Sequence, residues 1–300
     1  MQDHQLSVNS KRQFSAISTE DSGYQATCEL INSGEPFDAI FGANSTGPDI
    51  FAPPHEDYGD GTLNGKASFG DIDFSNDNSE LYVMNLNDRS IYTIPVSGDP
   101  LTANTAAIQI SSPIPVASNC SFLRPFAIEV APDGKVYIGA VCQYASSRIY
   151  VWGYDPVNNQ WDASPSLSYS LTSYGGWCCW GNWNNNDYHR GALFTGLEID
   201  EKGDLTIALR HRETDATLER STGDILKACK NSSGMWIMES NAVCGGVTGA
   251  RPNSGEGPFQ GEFYNDASSD GSEKSIMGGL TLLRGRGDVA ATFDDPFQLY

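Results

Sequence analysis

The chain is short of positive charge. Its 300 residues carry 18 Lys and Arg against 38 Asp and Glu, a formal net charge of −20. A surface of that sign repels nucleic acid and anionic membrane, and no basic patch offsets it. No apolar run approaches the ~18 residues of a membrane-spanning helix, so membrane insertion is not expected. The opening MQDHQLSVNSKRQFSAIS lacks the apolar stretch of a secretory leader. Histidine is scarce, with 4 scattered positions, and none of the 7 cysteines stands in C-x-x-C spacing, which argues against structural zinc. There is no G-x-S-x-G elbow, no P-loop and no G-x-G-x-x-G in a strand–helix context. The acidic excess suits cations, a polycationic partner or, more plainly, a solvating surface.

What the chain does have is a recurring hairpin pattern. Residues 69–96, FGDIDFSNDNSELYVMNLNDRSIYTIPV, read as three strands at 69–74, 81–84 and 91–96, joined by turns of Ser, Asn and Asp. The pattern returns at residues 126–155, 195–230 and 278–293, with loops that lengthen. Ile72, Ile128, Leu197 and Leu280 hold one register, spaced by 56, 69 and 83 residues. Repeats of roughly 40–50 residues and four strands each are the mark of a β-propeller. The expected fold is therefore all-β: a β-propeller, incomplete or not, with about four recognisable four-stranded blades. A β-sandwich with coincidental hairpins is the alternative.

Residues 1–36 read as a polar arm or a truncated remnant of an earlier blade, and 37–300 as the propeller domain, with a possible strand at 37–43. Outer strands are expected at 107–110, 166–171 and 235–240. Two long insertions interrupt the domain. Residues 174–189, YGGWCCWGNWNNNDYH, hold Trp177, Trp180 and Trp183; residues 241–274 hold GEGPFQGEFY. The Trp-rich insertion would serve as a platform for carbohydrate or as the small core of a long loop.

The cysteines favour export. Cys120 precedes the first strand of the second repeat and Cys142 ends its second strand. The Asp133-Gly134 turn folds these strands together, so both cysteines arrive at one end of the hairpin within disulfide reach. Asn44, Asn119 and Asn231 each open an N-x-S/T triplet, a sequence that also arises by chance.

Two clusters are candidates for function. Superposed repeats align Asp73, Glu129, Glu198 and Thr281 within the inner strands. Three carboxylates near one axis would suit a hard cation such as Ca, though solvation or pairing with arginine explains them equally well. The loops after second strands and the entries to inner strands should collect a ligand-binding face of Asp71, Asn87, Asp88, Arg89, Arg124, Arg210, His211, Arg212, Asp294 and Asp295. Flanking arginines should favour neutral His211.

FGDIDFSNDNSELYVMNLNDRSIYTI, RPFAIEVAPDGKVYIGAVC, TGLEIDEKGDLTIALRHR, GDILKA, GPFQGEFY and GGLTLLRGRGDVAATFDDPF together resemble a group of secreted bacterial propeller proteins. Those proteins often precede SdrD B-like or other surface-repeat domains. The likeness runs from about Gly70 to Phe297 and rests on blade motifs. It implies an extracellular or cell-surface propeller and supplies no catalytic residues. The chain departs from the group at His211, where an acidic residue is expected between two arginines, and in lacking earlier blades.

The expected function is a non-enzymatic binding or scaffold propeller, with a protein or carbohydrate ligand on one face. The alternative is a cation-dependent lactonase- or lyase-like enzyme holding metal on Asp73, Glu129 and Glu198. An unfinished last blade also predicts self-association through an open edge, unless residues 37–43 pair with 289–293.

Overall fold

The computed structural model describes residues 69–98, 101–120, 122–143, 148–171, 174–175, 192–211, 223–266, 276–283 and 288–293. Three antiparallel sheets of four or five strands and a two-stranded hairpin follow one another along the chain. The first sheet holds β1 (Phe69–Phe74), β2 (Glu80–Asn85), β3 (Ser90–Ser97), β4 (Thr102–Ala103) and β5 (Gln109–Ile110). The second holds β6 (Phe122–Val130), β7 (Val136–Gln143), β8 (Arg148–Asp155), β9 (Gln160–Trp161) and β10 (Leu167–Ser170). After β11 (Tyr174–Gly175), the third holds β12 (Ala192–Ile199), β13 (Leu205–His211), β14 (Asp224–Lys230) and β15 (Trp236–Met238). The short strands β16 (Val243–Cys244), β17 (Val247–Thr248) and β18 (Gly257–Pro258) precede the hairpin of β19 (Ile276–Leu283) and β20 (Asp288–Phe293). Among the described residues helix is limited to short 3-10 turns, as at Thr105–Ala107, and no helix is long and apolar enough to cross a membrane.

Local chemistry explains the hairpins. The turns opening at Ser75, Ala131 and Asp200 each bond the N–H of a fourth residue back to the first carbonyl. That fourth residue is Asn78, Gly134 or Gly203, each at positive φ (57°, 87° and 81°), a conformation that favours glycine and asparagine. The turn at Asn231 is built the same way, with Gly234 at 76°. Each first hairpin also carries a register irregularity, between Phe69 and Ile72, Pro125 and Ile128, Phe194 and Gly196, and Ile276 and Leu280. The repeats thus agree down to a bulge beside the shared apolar position.

Packing runs from sheet to sheet. In β2, Tyr82 and Met84 face the second sheet, while Leu81 and Val83 face the other way. In β7, Ile138 and Ala140 pack on the first sheet, and Val141 packs on the third. In β13, Ile207 and Leu209 face the second sheet, and Ala208 packs with Leu280 of β19. Period-two alternation with both faces buried is what stacked sheets require. The first strands meet in turn: β1 packs on β6, β6 on β12 and β12 on β19.

The outer edges and the second insertion carry more strands than the sequence pattern marks. The outer strand placed at 107–110 shortens to β5, because the 3-10 turn takes in Ala107, and a second short strand, β4, pairs with β3 before that turn. The outer strand expected at 166–171 is β10, on β8, and the short β9 also pairs with β8. Within the described part of the insertion, residues 241–266, β16 pairs with β17, and β18 pairs with β11 of the other insertion, Tyr174 opposite Pro258 and Gly175 opposite Gly257. Residues 1–36 and 37–43 lie outside the described residues.

Candidate functional site

The site begins with how the first strands are oriented. Asp71 accepts the N–H of Ile128 at 3.3 Å and Asp73 accepts that of Val130 at 2.8 Å, both through Oδ2. Each carboxylate also accepts the N–H of its own successor, Ile72 or Phe74. Two steps along β1 match two steps along β6, so the strands run side by side in the same sense. The second and third sheets align likewise. Tyr137, just past the 131–135 turn, stacks edge-on against Trp236 at 4.9 Å, and the Trp236 indole N–H donates to Gly203 in the corresponding turn. Farther from that end, Gly139 lies against the ring of Phe194. The turns therefore gather at one end of the three sheets, and the strand entries at the other.

Arg89, Arg124 and Arg210 all stand at the entry end. Arg89 closes the turn after β2 at φ 63°; Arg124 lies opposite Val141 and Arg210 opposite Leu193. All three are half-buried. In the same turn Asn87 is exposed, while Asp88 accepts the Ser90 N–H at 2.9 Å and the Tyr92 hydroxyl at 2.7 Å. Burial and that acceptor push the Tyr92 hydroxyl up to about 12. Asp71 turns into the seam between β1 and β6, where the Ile128 N–H donates to it. Burial there, with Asp73 adding to it, pushes Asp71 up to about 7 against the pull of its two N–H donors. Trp177, Trp180, Trp183, Arg212, Asp294 and Asp295 lie outside the described residues. His211 ends β13, and its side chain is likewise outside the description.

The three carboxylates aligned by the repeats sit on the first strands of three successive sheets. Asp73 is committed to backbone N–H groups, and Glu129 and Glu198 are buried. Among the described residues the acidic group whose oxygens lie within 4.8 Å of one another is a different one: Asp224, Glu262 and Asp266, all buried. Carboxylates in that arrangement could hold a hard cation.

That group belongs to a larger anchoring network which the repeat pattern does not reveal. Asp266 accepts the N–H of Ile225 at 2.9 Å. Glu239 accepts the N–H of Lys227 at 2.8 Å through one oxygen and that of Phe263 through the other. Arg251 bridges Glu262 at 2.9 Å and Glu256 at 3.0 Å. The Tyr264 hydroxyl meets Thr206 Oγ1 at 2.9 Å. These contacts fasten the 241–266 insertion to the third sheet, and Asp224 begins β14 at the entry end, opposite Leu209. Among the described residues no other repeat shows an equivalent set, so pattern alone could not find it.

Cys120 and Cys142 are bonded, as their hairpin placement predicts, with Cα atoms 5.6 Å apart. A second bridge joins Cys229 of β14 to Cys244 of β16, also at 5.6 Å. Cys28, Cys178 and Cys179 lie outside the described residues.

No protein-family model matches the chain. It is 26% identical to Colossin-C of Dictyostelium discoideum over 299 residues, covering 92% of this chain and 30% of that protein. It is 27% identical to Colossin-B of the same organism over 321 residues, covering 93% of this chain and 8% of the relative. The chain thus spans less than a third of the length of these curated relatives. Among solved structures, a protein from Lactobacillus plantarum aligns at TM-score 0.34 and 15% identity, over 57% of this chain and 40% of that one. A putative 6-phosphogluconolactonase from Bacteroides fragilis aligns at TM-score 0.30 and 13% identity, over 58% and 38%.

Proposed function

We propose that the chain is a β-propeller-type binding or scaffold module of a secreted or cell-surface protein, taking a protein or carbohydrate ligand at its entry end. The observation that carries this is the shared sense of β1, β6 and β12. It brings the strand entries, with Arg89, Arg124 and Arg210, to one end of the sheets. Successive packing of β1, β6, β12 and β19 supports about four blades around an axis. Residues 37–43 would close the ring by pairing with β20, or else the ring stays open and the chain self-associates through that edge. The two disulfides favour an oxidising compartment. The net charge disfavours nucleic acid.

The test is binding of the purified chain to an array of defined oligosaccharides and to immobilised extracellular proteins. Substituting Arg89, Arg124 and Arg210 together by alanine should abolish retention on whichever probe the chain binds, with the circular dichroism spectrum still that of the folded chain. Lys202→Ala, at the opposite end, should leave it intact. Equal retention by both variants would overturn the reading. The enzyme alternative, with calcium as cofactor, is tested by calcium-dependent hydrolysis of a sugar lactone; turnover lost in Glu198→Gln would favour it.

A further inference from the structure

We infer that Asn231 is an acceptor for an N-linked oligosaccharide, an inference that rests on the secreted reading above. Asn231, Ser232 and Ser233 form an N-x-S triplet at the turn between β14 and β15, and residues 231–235 are all exposed. The apex is open: a Cβ placed on Gly234 would meet nothing within 4 Å. The Asn231 side chain is already in a defined pose. Its Oδ1 accepts the N–H of Ser233 at 2.9 Å and of Met235 at 3.0 Å. The amide nitrogen makes no hydrogen bond among the described residues and is left for chemistry.

The turn by itself does not call for this triplet. Asp200 makes the same pair of bonds, accepting the N–H groups of Lys202 and Asp204 through Oδ1 at 2.9 Å each. An aspartate would close the Asn231 turn equally well. The Ser233 hydroxyl takes no part in it: only the backbone of Ser233 bonds to Asn231. What Asn with Ser two residues on adds is a carboxamide nitrogen beside a free hydroxyl, the pair that N-glycan transfer reads. Every bond of the turn lies within residues 231–235.

The co-reactant is an oligosaccharide carried on a lipid pyrophosphate. The Asn231 amide nitrogen bonds to the anomeric carbon while the bond from that carbon to the pyrophosphate oxygen breaks. The lipid pyrophosphate leaves with the electron pair, and the amide proton passes to a base of the transferase. The product would sit beside Met235 and Ile237, which are 50% and 55% exposed at the outer edge of the third sheet, and would cover an edge otherwise open to strand pairing.

The test is to secrete the full chain from a eukaryotic cell, release glycans enzymatically in heavy-oxygen water and map the peptide that contains Asn231. Conversion of Asn231 to labelled aspartate is expected, and Ser233→Ala should abolish it while leaving the melt unchanged, since the backbone bond survives. An unlabelled Asn231 in a chain whose two disulfides have formed overturns the assignment and leaves the secreted reading standing.

Discussion

Asp73 reaches out of its own sheet to Val130, accepting its backbone N–H at 2.8 Å across the seam between β1 and β6. Val130 is the last residue of the inner strand of the second sheet, and its N–H faces away from β7. Without an acceptor this edge would be left with an unsatisfied donor. Asp73→Ala should therefore cost about 1–3 kcal/mol in urea unfolding, and Asp73→Asn less, because its amide oxygen can still accept.

Asp71 makes the parallel contact to Ile128 but titrates differently. Its folded value stands at about 7 against 3.8 when free, chiefly through burial. From about pH 4 to 7 the folded chain keeps a proton that the unfolded chain has released. Stability from this group is thus full below pH 4 and falls as pH rises towards 7. Asp71→Asn should remove that slope and raise stability at neutral pH, by roughly 1.4 kcal/mol for each pH unit that separates the folded value from the free one. Denaturant midpoints measured across this range will show it.

Asp200 shows the opposite sign. Burial would raise its carboxyl, but the Lys227 ammonium at 2.9 Å and the N–H groups of Asp204 and Lys202 outweigh it and hold the group below 3.8. Its contribution is present above about pH 4 and lost as pH falls through the depressed value. Lys227 is only 8% exposed, so Asp200→Asn leaves a buried ammonium without its counter-charge. A loss of about 3 kcal/mol at neutral pH, together with a flatter acid limb, is the expected result.

Gly139 and Phe194 set the fit between the second and third sheets. A Cβ on Gly139 would sit 2.3 Å from the Phe194 ring. Gly139→Ala should destabilise by about 1–3 kcal/mol through overpacking. Phe194 is fully buried, and Phe194→Ala should cost about 3–5 kcal/mol by leaving a cavity. Calorimetry of the two variants would check both values.

Cys229 and Cys244 close a loop with a sequence separation of 15 residues. Replacing both by serine should cost about 2–4 kcal/mol, mostly by freeing the unfolded chain. The melting temperature under oxidising conditions is the readout.

How much of this was legible in the sequence follows from the range of each interaction. The hairpins were readable because alternation and turn chemistry are local: β1 spans the six residues expected of it, and Gly134 and Gly203 stand where their turns require positive φ. The Cys120–Cys142 bridge was readable because one hairpin brings both ends together. Asp71 and Asp73 were visible as acids on an inner strand, but their role was not. The donors that they satisfy lie 57 residues away in another sheet. Cys244, Glu262 and Asp266 sit in an insertion with no repeat to register against, so neither the second bridge nor the buried acidic group had a sequence signal.

The central claim is that the inner strands of separate sheets run side by side in one sense, gathering their loops at one end. An experimental structure of the chain tests it directly. The account predicts Ile72, Ile128 and Leu197 in three different sheets, Asp73 within hydrogen-bonding distance of the Val130 N–H, and Arg89, Arg124 and Arg210 at the same end. β1 and β6 paired in one continuous sheet, or Arg89 and Arg210 at opposite ends, would contradict it.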